Sequence, residues 1–381
     1  MESIKKRQPE LMNFLSSKAA HMHVPISGTF ELTARCNLNC RMCYVRLSDE
    51  QVKRIGRERT EKEWLTLAEE ARKAGMLFLL LTGGEPFMLP HFKSLYTELS
   101  KMGFIISINS NGTLIDEKCV EWLAKNPPSR MSVTLYGGND ETYRNLCRNS
   151  GMFDRVVNAL RLLREADILV RATMTLTPYN VDDCKKVHEI CQGIDVPLHM
   201  ASYVFPPLRR DKDSAGIAQR LSAEEAGYYS VVAERVRFGD EGFLATARYR
   251  LNKSDEKQIS DDDCQKEEKH PLFCRAGKSG FWIDWQGVMT PCGMMNYPAA
   301  KPFEEGFMTA WKKIVEGTEK LYMPSKCVSC SLRRACPICG AGVYCETGQF
   351  GVVPEYACRM AEATLKATQE AYDEIMSTQN K

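Results

Sequence analysis

Three cysteines fall within eight residues, Cys36-Asn37-Leu38-Asn39-Cys40-Arg41-Met42-Cys43, at the spacing C-x3-C-x2-C. A closed zinc site takes four ligands and a disulfide framework an even number, so three clustered thiols call for a partner from outside the stretch. A 4Fe–4S cube answers the count: three cysteines hold three irons, and the fourth iron stays open to a small molecule. A zinc knuckle with a distant fourth ligand is the alternative.

Composition matters here because it says in what state those thiols live. The chain has 381 residues and sixteen cysteines, and it opens Met-Glu-Ser-Ile-Lys-Lys-Arg without an apolar signal core. The longest purely apolar run, Met76 to Leu81, is too short to span a bilayer. A cytoplasmic protein is expected, with thiols kept reduced for metal or cluster ligation. A net charge of +2, with no like-charge block beyond short runs such as Asp261 to Asp263, gives neither nucleic acid nor an anionic membrane anything to bind. At 44% hydrophobic and 26% charged residues the chain has the makings of folded, soluble domains.

Around the triplet, strands and helices alternate. Residues 2–20 read as a helix with Leu11, Phe14 and Leu15 apolar, and Pro25 and Gly28 break the chain before a strand, Thr29 to Thr33. Thr60 and Glu63 form a capping box for a helix presenting Trp64, Leu67, Ala68 and Ala71, and Gly75 closes it before the strand Met76 to Leu81. The pattern repeats: helix Phe92 to Met102, strand Phe104 to Ile108, a helix after Asp116, strand Met131 to Leu135. A helix with Phe153, Val156, Val157, Leu160 and Leu163 on one face then leads to strand Ile168 to Leu176, a helix after Asn180, and strand Val196 to Met200. Six such units imply an α/β fold with a parallel sheet, helices outside, and ligands at the carboxyl ends of the strands.

Polar and glycine-rich stretches follow those strand ends. Thr82-Gly83-Gly84-Glu85-Pro86 comes after the second strand, Asn109-Ser110-Asn111-Gly112 after the third, and Thr134-Leu135-Tyr136-Gly137 after the fourth. The triplet with Tyr44 directly behind it, joined to G-G-E-P, resembles the radical S-adenosylmethionine (SAM) enzymes. That resemblance implies a partial (β/α)6 TIM-like barrel over residues 28–202, with a cluster on Cys36, Cys40 and Cys43. It implies SAM chelating the open iron, with Gly83, Gly84, Glu85 and Pro86 around its methionyl amine. Tyr44, Asn111, Thr134 and Arg148 complete the expected cofactor set, though each could equally be structural.

Residues 203–273 read as a linker: Pro206 and Pro207 end the barrel, and a capping box at Ser222 and Glu225 starts a helix through Arg237. A second cysteine set follows, Cys274, Cys292, Cys327, Cys330, Cys336, Cys339, Cys345 and Cys358. Residues 274–358 resemble the SPASM extension of peptide-modifying radical SAM enzymes, a small cysteine-rich iron–sulfur domain with two auxiliary 4Fe–4S clusters. The Phe281-Trp282-Ile283-Asp284-Trp285 stretch before Gly287 resembles its hairpin. By position Cys327, Cys330, Cys336 and Cys358 hold one cluster, and Cys274 and Cys292 hold the other with Cys339 or Cys345. The fourth ligand is the remaining one of these, Cys264, or none, because Cys336-x2-Cys339 departs from the family's C-x3-C. A zinc ribbon is the alternative. Cys119, Cys147, Cys184 and Cys191 read as buried small hydrophobes, His188 and His199 as structural, and 1–27 and 359–381 as terminal helical segments.

The resemblance implies a peptide or protein modifier that forms a thioether or carbon–carbon crosslink or an oxidised residue, fed by a donor such as flavodoxin or ferredoxin. A radical enzyme acting on a small metabolite is the second reading, and a non-catalytic protein with structural metal is the third. Gly293 stands where sulfatase-maturing relatives carry an Asp base, which disfavours that reaction. No room is left before the barrel for a fused precursor-recognition domain.

Overall fold

The expected alternation is realised as six parallel strands in the computed structural model, which describes residues 13–207, 219–251 and 270–379. They are β1 (Ser27–Glu31), β2 (Phe78–Thr82), β3 (Ile105–Ser110), β4 (Arg130–Thr134), β5 (Val170–Thr175) and β6 (Leu198–Ala201). Each pairs in parallel with the next in chain order. The sheet stays open between β6 and its far end, so the architecture is a partial α/β barrel. The Glu61–Lys73 helix shows how the local code works. Thr60 Oγ1 accepts from Glu63 N at 3.2 Å, Glu63 Oε2 accepts from Thr60 N at 2.8 Å, and Trp64, Leu67, Ala68 and Ala71 are buried.

The strand ends shift from expectation by one or two residues, and two boundaries differ for a clear local reason. β1 ends at Glu31 rather than Thr33, because the Thr33 hydroxyl accepts from Arg35 N at 2.9 Å and turns the chain there. The Ala223–Leu251 helix opens on the expected Ser222–Glu225 box but continues past Arg237, and Gly239 (φ 67°) kinks it. Of the first helix, residues 13–21 are helical, while 1–12, including Leu11, lie outside the described residues.

The cysteine-rich region adds β7 (His270–Pro271), β8 (Gly280–Ile283), β9 (Met289–Thr290) and β10 (Tyr322–Met323). β8 pairs in parallel with β1, from Ser27 against Gly280 to Phe30 against Ile283, and β9 returns antiparallel beside it. The expected hairpin therefore extends the barrel's own sheet. Aromatic packing holds the join, with Trp64 of the barrel on Phe303 at 5.3 Å between ring centres. At the other edge the Ala223–Leu251 and Glu355–Gln379 helices cross so closely that a Cβ on Gly227 would meet Met360 O at 2.5 Å.

Candidate active site

The loops after β1, β2, β3 and β4 enclose a cavity of ≈ 430 Å³ at the carboxyl ends of the strands. Cys40, Cys43, Tyr44, Gly83, Gly84, Asn111 and Thr134 line it, while Cys36 stands outside the lining. The cysteine loop is held from two sides. Asn39 N donates to Cys147 O at 3.0 Å and Arg41 N to Leu146 O at 2.9 Å, while Gly84 N donates to Thr33 O at 2.7 Å and Glu85 N to Arg35 O at 2.8 Å. Glycine is needed there because a Cβ on Gly84 would stand 2.2 Å from Arg35 O.

Two of the sulfurs accept backbone hydrogen bonds, yet burial and crowding keep the thiols protonated. Cys36 Sγ accepts from Leu38 N at 3.4 Å and Cys43 Sγ from Arg46 N at 3.2 Å. Burial, opposed by the Leu38 hydrogen bond, pushes the Cys36 thiol up to about 12, with Glu85, Cys43 and Cys40 adding to the rise. Cys40 is raised well above the usual thiol range by its contact with the Cys147 thiol and by burial. Cys147 is thus a neighbour of Cys40 as well as a buried hydrophobe. Crowded thiols that resist losing their protons in isolation ionise when a cationic centre binds, so three convergent sulfurs fit a cluster.

Three expected cofactor residues take other places. Glu85 does not line the cavity: its carboxyl is fully buried, Oε1 accepting from Ser110 Oγ at 2.9 Å and Phe87 N at 3.2 Å, and Oε2 from Asn111 N at 2.7 Å. Desolvation pushes it up to about 7 against those three donors. Pro86 follows it inward as the first residue of a short helical turn, Pro86–Met88. Arg148 is exposed, because the chain leaves the Tyr143–Cys147 turn through a left-handed residue (φ 53°) that aims the side chain outward. Residues the sequence did not single out close the cavity instead: Thr175 ends β5, Tyr203, Val204 and Phe205 follow β6, and Met294 comes from the cysteine-rich region. Only the aromatic run Tyr203-Val204-Phe205 at a strand end was a signal for them.

In the cysteine-rich region Cys327, Cys330, Cys336 and Cys358 ring one closed cavity with Leu332, Ile338 and Ala357. Burial, then the neighbouring Cys358, Cys336 and Cys330, pushes Cys327 up to about 11. Cys292, Cys339 and Cys345 form a second group: Met294 N donates to Cys292 Sγ at 3.3 Å, Cys345 Sγ donates to Met294 O at 3.2 Å, and burial followed by Cys292 and Cys339 pushes Cys345 up to about 12. Cys274 is exposed, and Cys264 lies outside the described residues. Among the described residues no three His, Cys, Asp or Glu side chains gather tightly enough to hold a single metal ion. No helix among them is long and apolar enough to cross a membrane.

Residues 30–191, from β1 to the helix after β5, match the radical SAM superfamily model. Those residues are a radical SAM domain. The chain is 26% identical over 338 residues to the AdoMet-dependent heme synthase of Methanosarcina barkeri (strain Fusaro / DSM 804), covering 87% of its own length and 95% of that protein's. It is 25% identical over 283 residues to the sporulation killing factor maturation protein SkfB of Bacillus subtilis (strain 168), covering 74% of itself and 64% of SkfB. Its fold is that of Streptococcus suis SuiB bound to precursor peptide SuiA, with a TM-score of 0.62 at 19% identity over 87% of this chain and 76% of that one.

Proposed function

We propose that this radical SAM enzyme modifies a ribosomally made peptide, forming a thioether or carbon–carbon crosslink or oxidising a residue. The observation that carries the reading is the composition of the cavity lining. Part of the lining is polar and glycine-rich, suited to SAM, and part is the uncharged set Tyr44, Val45, Tyr203, Phe205 and Met294. Among the described residues that line it there is no Lys, Arg or His. A haem-type tetrapyrrole carries carboxylates that call for such cations; an uncharged peptide side chain does not. The SkfB relationship supports the same reading.

Cys36, Cys40 and Cys43 would hold the SAM-binding cluster. A cluster held there would supply the one-electron reduction by which SAM is cleaved for hydrogen abstraction from a substrate. The protein's work is then positional. Gly83 and Gly84 let the backbone come close to the methionyl group, Thr134 offers a polar contact, and Tyr203, Phe205 and Met294 keep water from the reacting carbon. Residues 274–358 form an auxiliary unit in this account. Cys327, Cys330, Cys336 and Cys358 would hold one 4Fe–4S cluster, and Cys292, Cys339 and Cys345, with Cys274 or Cys264, the other, giving about twelve irons in all. A flavodoxin or ferredoxin would supply the electron.

The heme synthase, matched over 95% of its length, favours a second reading, a radical enzyme acting on a tetrapyrrole. Anaerobically reconstituted protein, given SAM and dithionite with either the short peptides encoded beside its gene or an iron porphyrin, separates the two. Mass loss or crosslinking in a peptide is the expected outcome. A SAM-dependent change in the mass of the porphyrin with every peptide unchanged would overturn the proposal.

A further inference from the structure

Three side chains between the cysteine loop and the end of β3 close a hydrogen-bonded ring. Asn37 Nδ2 donates to Thr113 Oγ1 at 2.7 Å, Thr113 Oγ1 donates to Asn111 Oδ1 at 2.6 Å, and Asn111 Nδ2 donates back to Asn37 Oδ1 at 2.9 Å. Thr113 N also donates to Asn111 Oδ1 at 2.9 Å. With its oxygen fixed by two donors, the Asn111 amide has one orientation, and its Nδ2 lies 3.5 Å from Cys36 Sγ as donor. Asn111 and Thr113 are buried, and the fully buried Glu85 anchors the ring by accepting from Asn111 N at 2.7 Å. Asn149 Nδ2 holds the opposite side through Asn37 O at 3.2 Å. Every polar atom of the Asn111 amide is thereby spent on protein partners, one of them a sulfur.

We propose that Asn111 is a positioning residue for the SAM-binding cluster, its Nδ2–H donating to the Cys36 sulfur and raising the cluster's reduction potential. The inference rests on the reading that Cys36 ligates a cluster, in which case the thiol sulfur described above stands for an iron-bound thiolate. Reduction adds negative charge that spreads onto the ligand sulfurs, so a donor fixed on one of them stabilises the reduced state more than the oxidised state. Asn37 and Thr113 hold that donor in register, and Glu85 fixes the backbone beneath it. Asn111 would thus act on the cluster while also lining the SAM cavity.

The test is an electron paramagnetic resonance redox titration of the anaerobically reconstituted full chain. The barrel cluster is recognised as the signal that changes when SAM is added. Asn111→Ala removes the amide, and Asn111→Asp keeps its size and the oxygen that accepts from Thr113 but cannot donate to Cys36. Both variants are expected to retain the SAM-responsive signal and to reach half-reduction at a more negative potential than wild type. An unchanged midpoint in loaded variants overturns the proposal, as does loss of iron from both, which would assign Asn111 a purely structural role. Absence of any SAM-responsive cluster in the wild-type protein would instead overturn the functional reading itself.

Discussion

Glu85 has a carboxyl raised from its usual range to about 7 by burial, so the folded protein binds that proton more tightly than the unfolded chain does. Its contribution to stability is complete below the ordinary glutamate pKa of about 4.3 and is lost as the pH rises through about 7. The urea midpoint of the wild-type protein should therefore fall between pH 5 and pH 8, and Glu85→Gln should flatten that part of the profile. Equal slopes in the two proteins would contradict the assignment. Gly84→Ala is expected to displace the cysteine loop, since the new Cβ would meet Arg35 O at 2.2 Å; isothermal titration should show SAM affinity lowered at least about tenfold, or roughly 1.4 kcal/mol. The glycine pair and the triplet were legible in the sequence because the chemistry demands those residue types at those spacings. The inward turn of Glu85 was not, because G-G-E-P does not say that Ser110, Phe87 and Asn111 will meet its carboxylate. Nor was the exposure of Arg148, which follows from one left-handed backbone residue that no spacing rule encodes.

Between elements, a buried ion pair ties the chain end of the barrel to the cysteine-rich region. Arg220 Nη1 and Nη2 donate to Glu346 at 2.7 and 3.1 Å, Tyr203 Oη donates to the same carboxylate at 2.7 Å, and the two charged side chains are 11% and 7% exposed. The Arg220 guanidinium also covers the Tyr356 ring at 3.7 Å from its centre. Removing one partner strands a buried charge, so Glu346→Ala should cost ~3–5 kcal/mol, whereas Arg220→Met with Glu346→Leu should cost much less. Chemical unfolding of both variants checks this, and equal losses would refute it. The strands and most helices of the barrel were readable from apolar period and caps, as the Thr60–Glu63 box illustrates. What could not be read was that β8 would join β1, or that the helix after Ser222 would survive Gly239. Both depend on surfaces supplied by distant segments, Phe303 on Trp64 in the first case and the long Glu355–Gln379 helix in the second.

At the scale of the whole molecule, the barrel and the cysteine-rich region share one cavity. Met294, two residues beyond Cys292, closes the space above Cys40, Cys43 and Gly84, so a substrate held there is within reach of both regions. If the auxiliary cysteines serve turnover and not SAM cleavage, Cys327→Ala or Cys358→Ala should leave 5′-deoxyadenosine formation measurable while abolishing modified peptide. Full product yield from a variant shown by iron analysis to lack that cluster would contradict this division of labour. The account depends most on the triplet after β1. Chromatographic assay of 5′-deoxyadenosine from SAM and dithionite, comparing the anaerobically reconstituted wild type with Cys36, Cys40 and Cys43 replaced together by Ala, addresses it directly. Formation by the wild type, with none from the triple variant and about four irons fewer bound per chain, is the predicted result; undiminished formation by the triple variant would contradict it.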